Sequence, residues 1–218
     1  DASIMDGSTK RAGAVAALQG FRNPVAAARA VMDRTPHVML VGEGAALFAQ
    51  DQGLEPIADE AAWYTGAGQG EDNHPPGTLS HGTVGACVLD SQGRLAAATS
   101  TGGMTAKRWG RVGDAPIIGA GTYASNADGC AVSATGSGEY FIRSTVARDI
   151  CRRTADGATV QAAAEGEIAD VGSIGGDGGV IVMGLTGTPA FAMNTSGMYR
   201  GAVSSNTPTR VAIYADED

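Results

Sequence analysis

Apolar positions along the first fifty residues shift from a continuous run to a helical period. Residues 12–18 (Ala-Gly-Ala-Val-Ala-Ala-Leu) are small and apolar without a break, as in a buried strand. Asn23-Pro24 then opens a helix, because the asparagine can cap free N–H groups and proline needs no N–H partner at the first helical position. Val25, Ala28, Val31 and Met32 follow on one face at three- and four-residue spacing. A second helix is predicted from Glu43 to Gln52, closed by Gly53. Two strands, 83–89 and 94–100, flank a Ser91-Gln92-Gly93 turn, and further strands are predicted at 130–134, 179–184, 188–194, 198–203 and 211–215. Helices are predicted over 138–153, with Phe141, Ile142, Val146 and Ile150 spaced along the first, and over 158–170. Paired strands with a block of helices describe a layered α/β fold whose sheet is largely antiparallel.

Between the two halves, residues 63–82 are dominated by Gly, Pro and charged side chains, the composition of a linker. That linker runs directly into Gly82-Thr83 and a core strand. Such a junction suits a programmed cut better than a random boundary.

The chain of 218 residues is the size of one ordinary domain or two small ones, and 43% hydrophobic with 17% charged residues is a globular balance. Its 33 glycines have no period, so they signal tight turns and close backbone approach. A net charge of −8 argues against a nucleic-acid partner. No apolar stretch approaches the ~20 residues of a membrane span. Cys87, Cys130 and Cys151 are odd in number and lack CxxC spacing, which speaks against a disulfide framework or zinc site and for a reduced, cytoplasmic compartment. The chain begins Asp1-Ala2-Ser3 without methionine, so a leader and a periplasmic location stay open.

A threonine hydroxyl is a weak nucleophile that needs a base nearby. Were Thr83 to become an N-terminus, its own α-amine, with a pKa near ~8, would serve as that base. The alternative is an ordinary threonine at a strand start. Thr99-Ser100-Thr101-Gly102-Gly103 places hydroxyls and glycines at the end of the next strand, where one hydroxyl can bond the nucleophile and the glycines leave room for substrate. Thr135-Gly136-Ser137-Gly138 joins a strand to a helix and can offer N–H groups and a hydroxyl to an oxyanion, or can be a simple capped turn. In Gly110-Arg111-Val112-Gly113-Asp114, Arg111 can fork onto a carboxylate while Asp114 takes an ammonium, together the head group of an α-amino acid. A surface ion pair is the competing reading. Gly119-Ala120-Gly121-Thr122-Tyr123-Ala124 matches a loose dinucleotide fingerprint but is followed by loop-forming residues instead of a helix.

Four ordered motifs carry a resemblance: Gly82-Thr83-Val84-Gly85-Ala86, Ala97 through Thr105, Gly110 through Asp114, and Thr135 through Glu139. Together they strongly resemble the isoaspartyl peptidase/L-asparaginase family, the plant-type asparaginases among the N-terminal-nucleophile (Ntn) hydrolases. Asp1 through Gly7, Pro36 through Leu40 and Gly197 through Arg200 extend the similarity. The resemblance implies a four-layer αββα sandwich, made as one domain and cut into an α subunit (1–82) and a β subunit (83–218). It implies Thr83 as nucleophile, Thr101 as the hydroxyl beside it, Thr135 and Gly136 as oxyanion hole, and Arg111 and Asp114, with Gly103 and Gly138, around the substrate. Implied substrates are β-aspartyl dipeptides and L-asparagine, without a catalytic cofactor. The implied assembly is an (αβ)₂ dimer of heterodimers. A glycosylasparaginase, a threonine protease of the same fold, or an uncut binding protein are the alternatives. Family members begin with a core strand bearing His-Gly-Gly-Ala-Gly and a loop that helps hold a structural sodium in some of them. That segment would precede Asp1, so the N-terminal part of the fold is expected to be missing from this sequence.

Overall fold

Helix α1 forms where the Asn-Pro signal places it. It spans Pro24–Arg34, and the Asn23 side chain accepts the Ala26 N–H at 3.1 Å. Its buried face, Ala27, Ala28, Val31 and Met32 among others, packs on β1 (Ala2–Asp6) and β2 (Ala12–Ala16). The computed structural model describes residues 1–63, 81–104, 107–205 and 207–217, so the linker expected at about 63–82 lies almost wholly outside the described residues. A short β3 (Met39–Val41) pairs parallel to β2 and leads into α2 (Gly42–Asp51), with Gly53 just beyond its end.

One sheet has the order β3-β2-β1-β5-β4, where β4 is His81–Leu89 and β5 is Leu95–Met104. A second has the order β6-β7-β8-β9, built from Thr122–Ser125, Cys130–Gly136, Gly178–Gly184 and Pro189–Met193. All neighbours are antiparallel except β2 and β3. Strands β4 and β5 lie against β7, with β4 also touching β8 and β5 touching β6. Helix α4 (Gly138–Ser144) follows β7 and leads to α5 (Val146–Ala155) and α6 (Val160–Ser173), which pack on the second sheet. Phe141, Ile150, Val132, Val180 and Leu95 are fully buried in the shared core, each contributing about 1.5–3 kcal/mol of burial. Strands β10 (Gly197–Ala202) and β11 (Arg210–Tyr214) form a separate ribbon.

Several expectations need correcting. The helix predicted over 138–153 is two helices, because Thr145 takes a left-handed conformation (φ 51°, ψ 45°) that stops α4 and starts α5. Strands β1, β3 and β6 were not predicted. β1 and β6 carry polar residues inside the core, and Ser3 and Thr122 are fully buried because their hydroxyls donate to the Ala115 carbonyl, at 2.6 and 3.3 Å. β4 starts at His81 and not Thr83, and β5 continues to Met104, because the two strands keep pairing through Gly82 and Gly103. Contrary to expectation, the chain also contains a disulfide. Cys130 at the start of β7 and Cys151 in α5 are fully buried, with Cα atoms 5.4 Å apart, and are joined. A 21-residue separation carries no local motif, and only the packing of α5 on β7 brings the two together. The cysteine count therefore no longer argues for a reducing compartment.

Candidate active site

Where β4 meets β5 the register shifts by one residue, with Gly82 facing Gly103 and Thr83 facing Thr101. Gly102 is the extra residue of this bulge. Gly103 follows with φ +87°, a conformation costly for any residue with a Cβ. Its N–H donates to Thr101 Oγ1 at 2.9 Å. The Thr101 hydroxyl in turn donates to the Gly82 carbonyl oxygen at 2.7 Å, and Thr83 Oγ1 donates to Thr101 Oγ1 at 3.4 Å. A half-buried hydroxyl thus sits beside the peptide bond that precedes it, and a second hydroxyl is already bonded to that bond's oxygen.

Gly82 and Thr83 open onto a cavity of about 600 Å³ that Ser133, Thr135, Gly136, Asp177 and Tyr199 also line. Thr135 and Gly136 end β7 opposite Gly179 and Gly178 of β8. The capped-turn alternative does not describe this corner, because the Ser137 hydroxyl makes no cap. It donates instead to the Asp177 carboxylate, while the Ser137 N–H donates to the Asp177 carbonyl at 2.9 Å. Asp177 therefore bolts the Thr135–Gly136 corner to β8.

Gly138 opens α4, and a side chain there would sit 2.9 Å from Arg111 Nη2 and 3.0 Å from Asp114 Oδ1. Arg111, Asp114 and Gly138 are therefore one cluster, and only glycine lets the helix start come this close. The surface-pair alternative is also wrong in its partner. Arg111 forks onto Glu139, with Nε to Oε1 at 2.9 Å and Nη2 to Oε2 at 3.0 Å. Asp114 is buried, and its Oδ2 has no hydrogen-bond partner. Burial pushes its carboxyl up to about 6, against the Asp114 and Ala115 N–H groups and the Arg111 charge that favour ionisation. A buried carboxyl with an unsatisfied oxygen beside an arginine is suited to receive a cationic group.

The structure thus gathers the sequence-predicted residues into two clusters: Gly82, Thr83, Thr101 and Gly103 on the strand pair, and Arg111, Asp114 and Gly138 on the loop and helix. Thr135 and Gly136 share the cavity of the first and lie three and two residues, respectively, from Gly138 in the second. Sequence reasoning missed Glu139, Asp177 and Ser133 as neighbours of the site, because pairing across 28 and 40 residues leaves no local pattern. Among the described residues no group of three or more His, Cys, Asp or Glu is placed to hold a metal, and no helix is long and apolar enough to cross a membrane. Burial pushes the thiol of Cys87 far up, which removes it as a competing nucleophile.

Comparison with known proteins gives a consistent picture. The asparaginase family profile matches residues 1–213. The isoaspartyl peptidase of Escherichia coli (strain K12) is 45% identical over 234 residues, which cover 100% of this chain and 72% of that protein. The isoaspartyl peptidase/L-asparaginase of Xenopus laevis is 38% identical, covering 100% and 72%, respectively. The plant-type L-asparaginase of Pyrobaculum calidifontis is 45% identical, covering 92% and 71%.

Proposed function

This chain belongs to the asparaginase family of Ntn hydrolases, and from that premise we propose that it is an isoaspartyl peptidase with L-asparaginase activity whose nucleophile is Thr83, freed by self-cleavage after Gly82. The observation that carries the reading is the pair of hydroxyls at the β4–β5 bulge. Thr83 Oγ1 attacks the Gly82 carbonyl carbon, while the Thr101 hydroxyl, 2.7 Å from that oxygen, stabilises the negative charge that develops there. The proton lost by the Thr83 hydroxyl passes to the Thr83 nitrogen, which leaves as a free α-amine when the C–N bond breaks, giving an ester of Gly82 on the Thr83 oxygen. Water hydrolyses the ester and releases a Gly82 carboxylate and the Thr83 hydroxyl, now beside the free α-amine.

In the mature enzyme that amine takes the Thr83 hydroxyl proton as the oxygen attacks the side-chain amide of a β-aspartyl substrate. Arg111 forks onto the substrate α-carboxylate and Asp114 pairs with its ammonium. Thr135 and Gly136 hold the oxyanion. The amine then protonates the leaving nitrogen, and water resolves the β-aspartyl ester. The contacts of β4 and β5 with the second sheet, and the helices on each sheet, support an αββα sandwich; the (αβ)₂ pairing of this reading rests on the family resemblance alone.

A second reading, an uncut binding protein, draws on the pairing of β4 that continues from His81 through the proposed cut. Denaturing electrophoresis and N-terminal sequencing separate the two. The expected result is two bands, the second beginning Thr-Val-Gly-Ala-Cys. Thr83→Ala should leave one band and abolish turnover of β-aspartyl dipeptides, whereas Thr83→Ser should retain cutting and part of the activity. A single wild-type band without turnover would establish the second reading.

A further inference from the structure

Asp1 lies beside the reacting strands without belonging to any step described so far. Its carbonyl accepts the Thr101 N–H at 2.9 Å, so its backbone is paired to the residue that bonds the Gly82 oxygen. Its side chain is 1% exposed. One carboxylate oxygen takes the Ala17 N–H at 2.7 Å, while the other has no hydrogen bond and faces the Lys107 ammonium at 3.7 Å. A buried carboxylate is costly unless a cation stands by it, so Lys107 is held where it is by charge. Burial and the charge of Arg111 both lower the Lys107 pKa, which places this ammonium in a partly dry, crowded position.

The stem of Lys107 passes directly over Gly103. A Cβ on that glycine would lie 3.0 Å from both Lys107 Cδ and Nζ. Gly103 is the residue in the left-handed conformation whose N–H donates to Thr101 Oγ1. That N–H fills an acceptor position on the Thr101 oxygen and so aims the hydroxyl proton at Gly82.

Resting on the assignment of Thr83 and Thr101 above, we infer that Asp1 and Lys107 are positioning residues, a charge pair that clamps the Gly102–Gly103 bulge so that the Thr101 hydroxyl stays aimed at the reacting carbonyl. Neither touches the substrate. The pair acts first on self-cleavage and afterwards on the orientation of Thr83, so its loss slows both events without loosening the Arg111–Asp114 grip on substrate.

Lys107→Met keeps the stem and removes the charge; Lys107→Arg keeps the charge. The double variant Asp1→Asn/Lys107→Met removes both charges and so avoids a stranded buried carboxylate. Cleavage half-time, kcat and KM on a β-aspartyl dipeptide, and Tm are measured for each, with Thr83→Ala alongside. We expect the double variant to melt near the wild-type temperature yet to cleave and turn over about a hundredfold more slowly, the scale of a misplacement of ~1 Å. KM should change less than about twofold, and Lys107→Arg should recover most of both rates. A double variant with wild-type rates would make the pair a structural ion pair only. A rise confined to KM would make Lys107 a substrate ligand, and either result overturns the inference while leaving Thr83 in place. Cutting in Thr83→Ala would remove the nucleophile assignment, and the inference would fall with it.

Discussion

Two clusters of arginine and carboxylate in this molecule are chemically alike and differently finished. One is Arg111, Asp114 and Glu139 at the start of α4; the other joins α5 to α6 through Asp149, Arg152, Arg153, Glu167 and Asp170. Each contains a buried carboxyl raised by desolvation, Asp114 to about 6 and Glu167 to about 8. In the helix cluster Arg153 satisfies three carboxylates, Asp149 at 2.7 Å, Glu167 at 2.8 Å and Asp170 at 2.5 Å. In the loop cluster Asp114 keeps an unpaired oxygen, and Arg111 is spent on a mostly exposed Glu139, a pairing worth little in water. Between these two clusters, the closed network of Arg153 fits a structural role, and the open oxygen of Asp114 fits a place held for a cationic group.

The sharpest way to break that comparison is to remove the arginine from each. Arg111→Ala should lose about 2–5 kcal/mol of transition-state binding, read as kcat/KM on a β-aspartyl dipeptide, while self-cleavage and Tm stay near wild type. Arg153→Ala should do the reverse and cost about 2–4 kcal/mol of stability, because Glu167 and Asp149 lose a shared cation, with kcat/KM preserved. Equal losses of activity in both variants would mean that the two clusters are not functionally distinct.

The contrast also separates what was legible in the sequence from what was not. Helix α1 could be read because Asn23 and Pro24 act within one turn, and the Thr83 and Thr101 strands because their signals are local. Arg111 and Asp114 were found as a pair of suitable chemistry. Their real arrangement depends on Gly138 and Glu139, which arrive from another element. The break at Thr145 was invisible because a left-handed threonine has no sequence signature. Strands β1 and β6 were hidden by Ser3 and Thr122, hydroxyls that are tolerated in the core because other segments supply their partners, and by Ser125, which accepts the Asp128 N–H of the turn that follows.

Asp114 sharpens the comparison through pH. Its carboxyl binds a proton more tightly in the folded chain (about 6) than in the unfolded one (3.8). Stability therefore falls as pH rises across that window, by at most about 3 kcal/mol. Asp114→Asn should raise Tm at pH 7 by removing a buried charge, and should depress activity because the amide cannot pair with an ammonium. In the wild type, kcat/KM should rise with pH through about 6 as the carboxylate forms. A Tm gain without loss of activity would remove Asp114 from the site.

Glu167 offers the smallest effect and the cleanest test of closure. Burial, and next the neighbouring Asp149 carboxylate, raise it to about 8 from 4.5, which predicts that near neutrality Glu167 keeps a proton and shares it with Asp149. Burial also pushes Asp149 upward, but hydrogen bonds from Arg152, Glu167 and Arg153 together hold it well below the usual range, so the two carboxyls share one proton. The folded chain keeps that proton after the unfolded chain has released it, and stability drifts down as pH rises from about 4.5 to about 8, then levels. Glutamine has an N–H donor where the protonated acid has its O–H, and it does not titrate. Glu167→Gln should therefore flatten Tm between pH 6.5 and 8.5, where Asp114 no longer contributes. Stability at pH 8.5 should be equal or higher by about 1 kcal/mol, with kcat/KM unchanged. A variant markedly less stable at pH 8.5 would show that Glu167 is ionised and paired with Arg153, and the helix cluster would then be held by charge rather than by a shared proton.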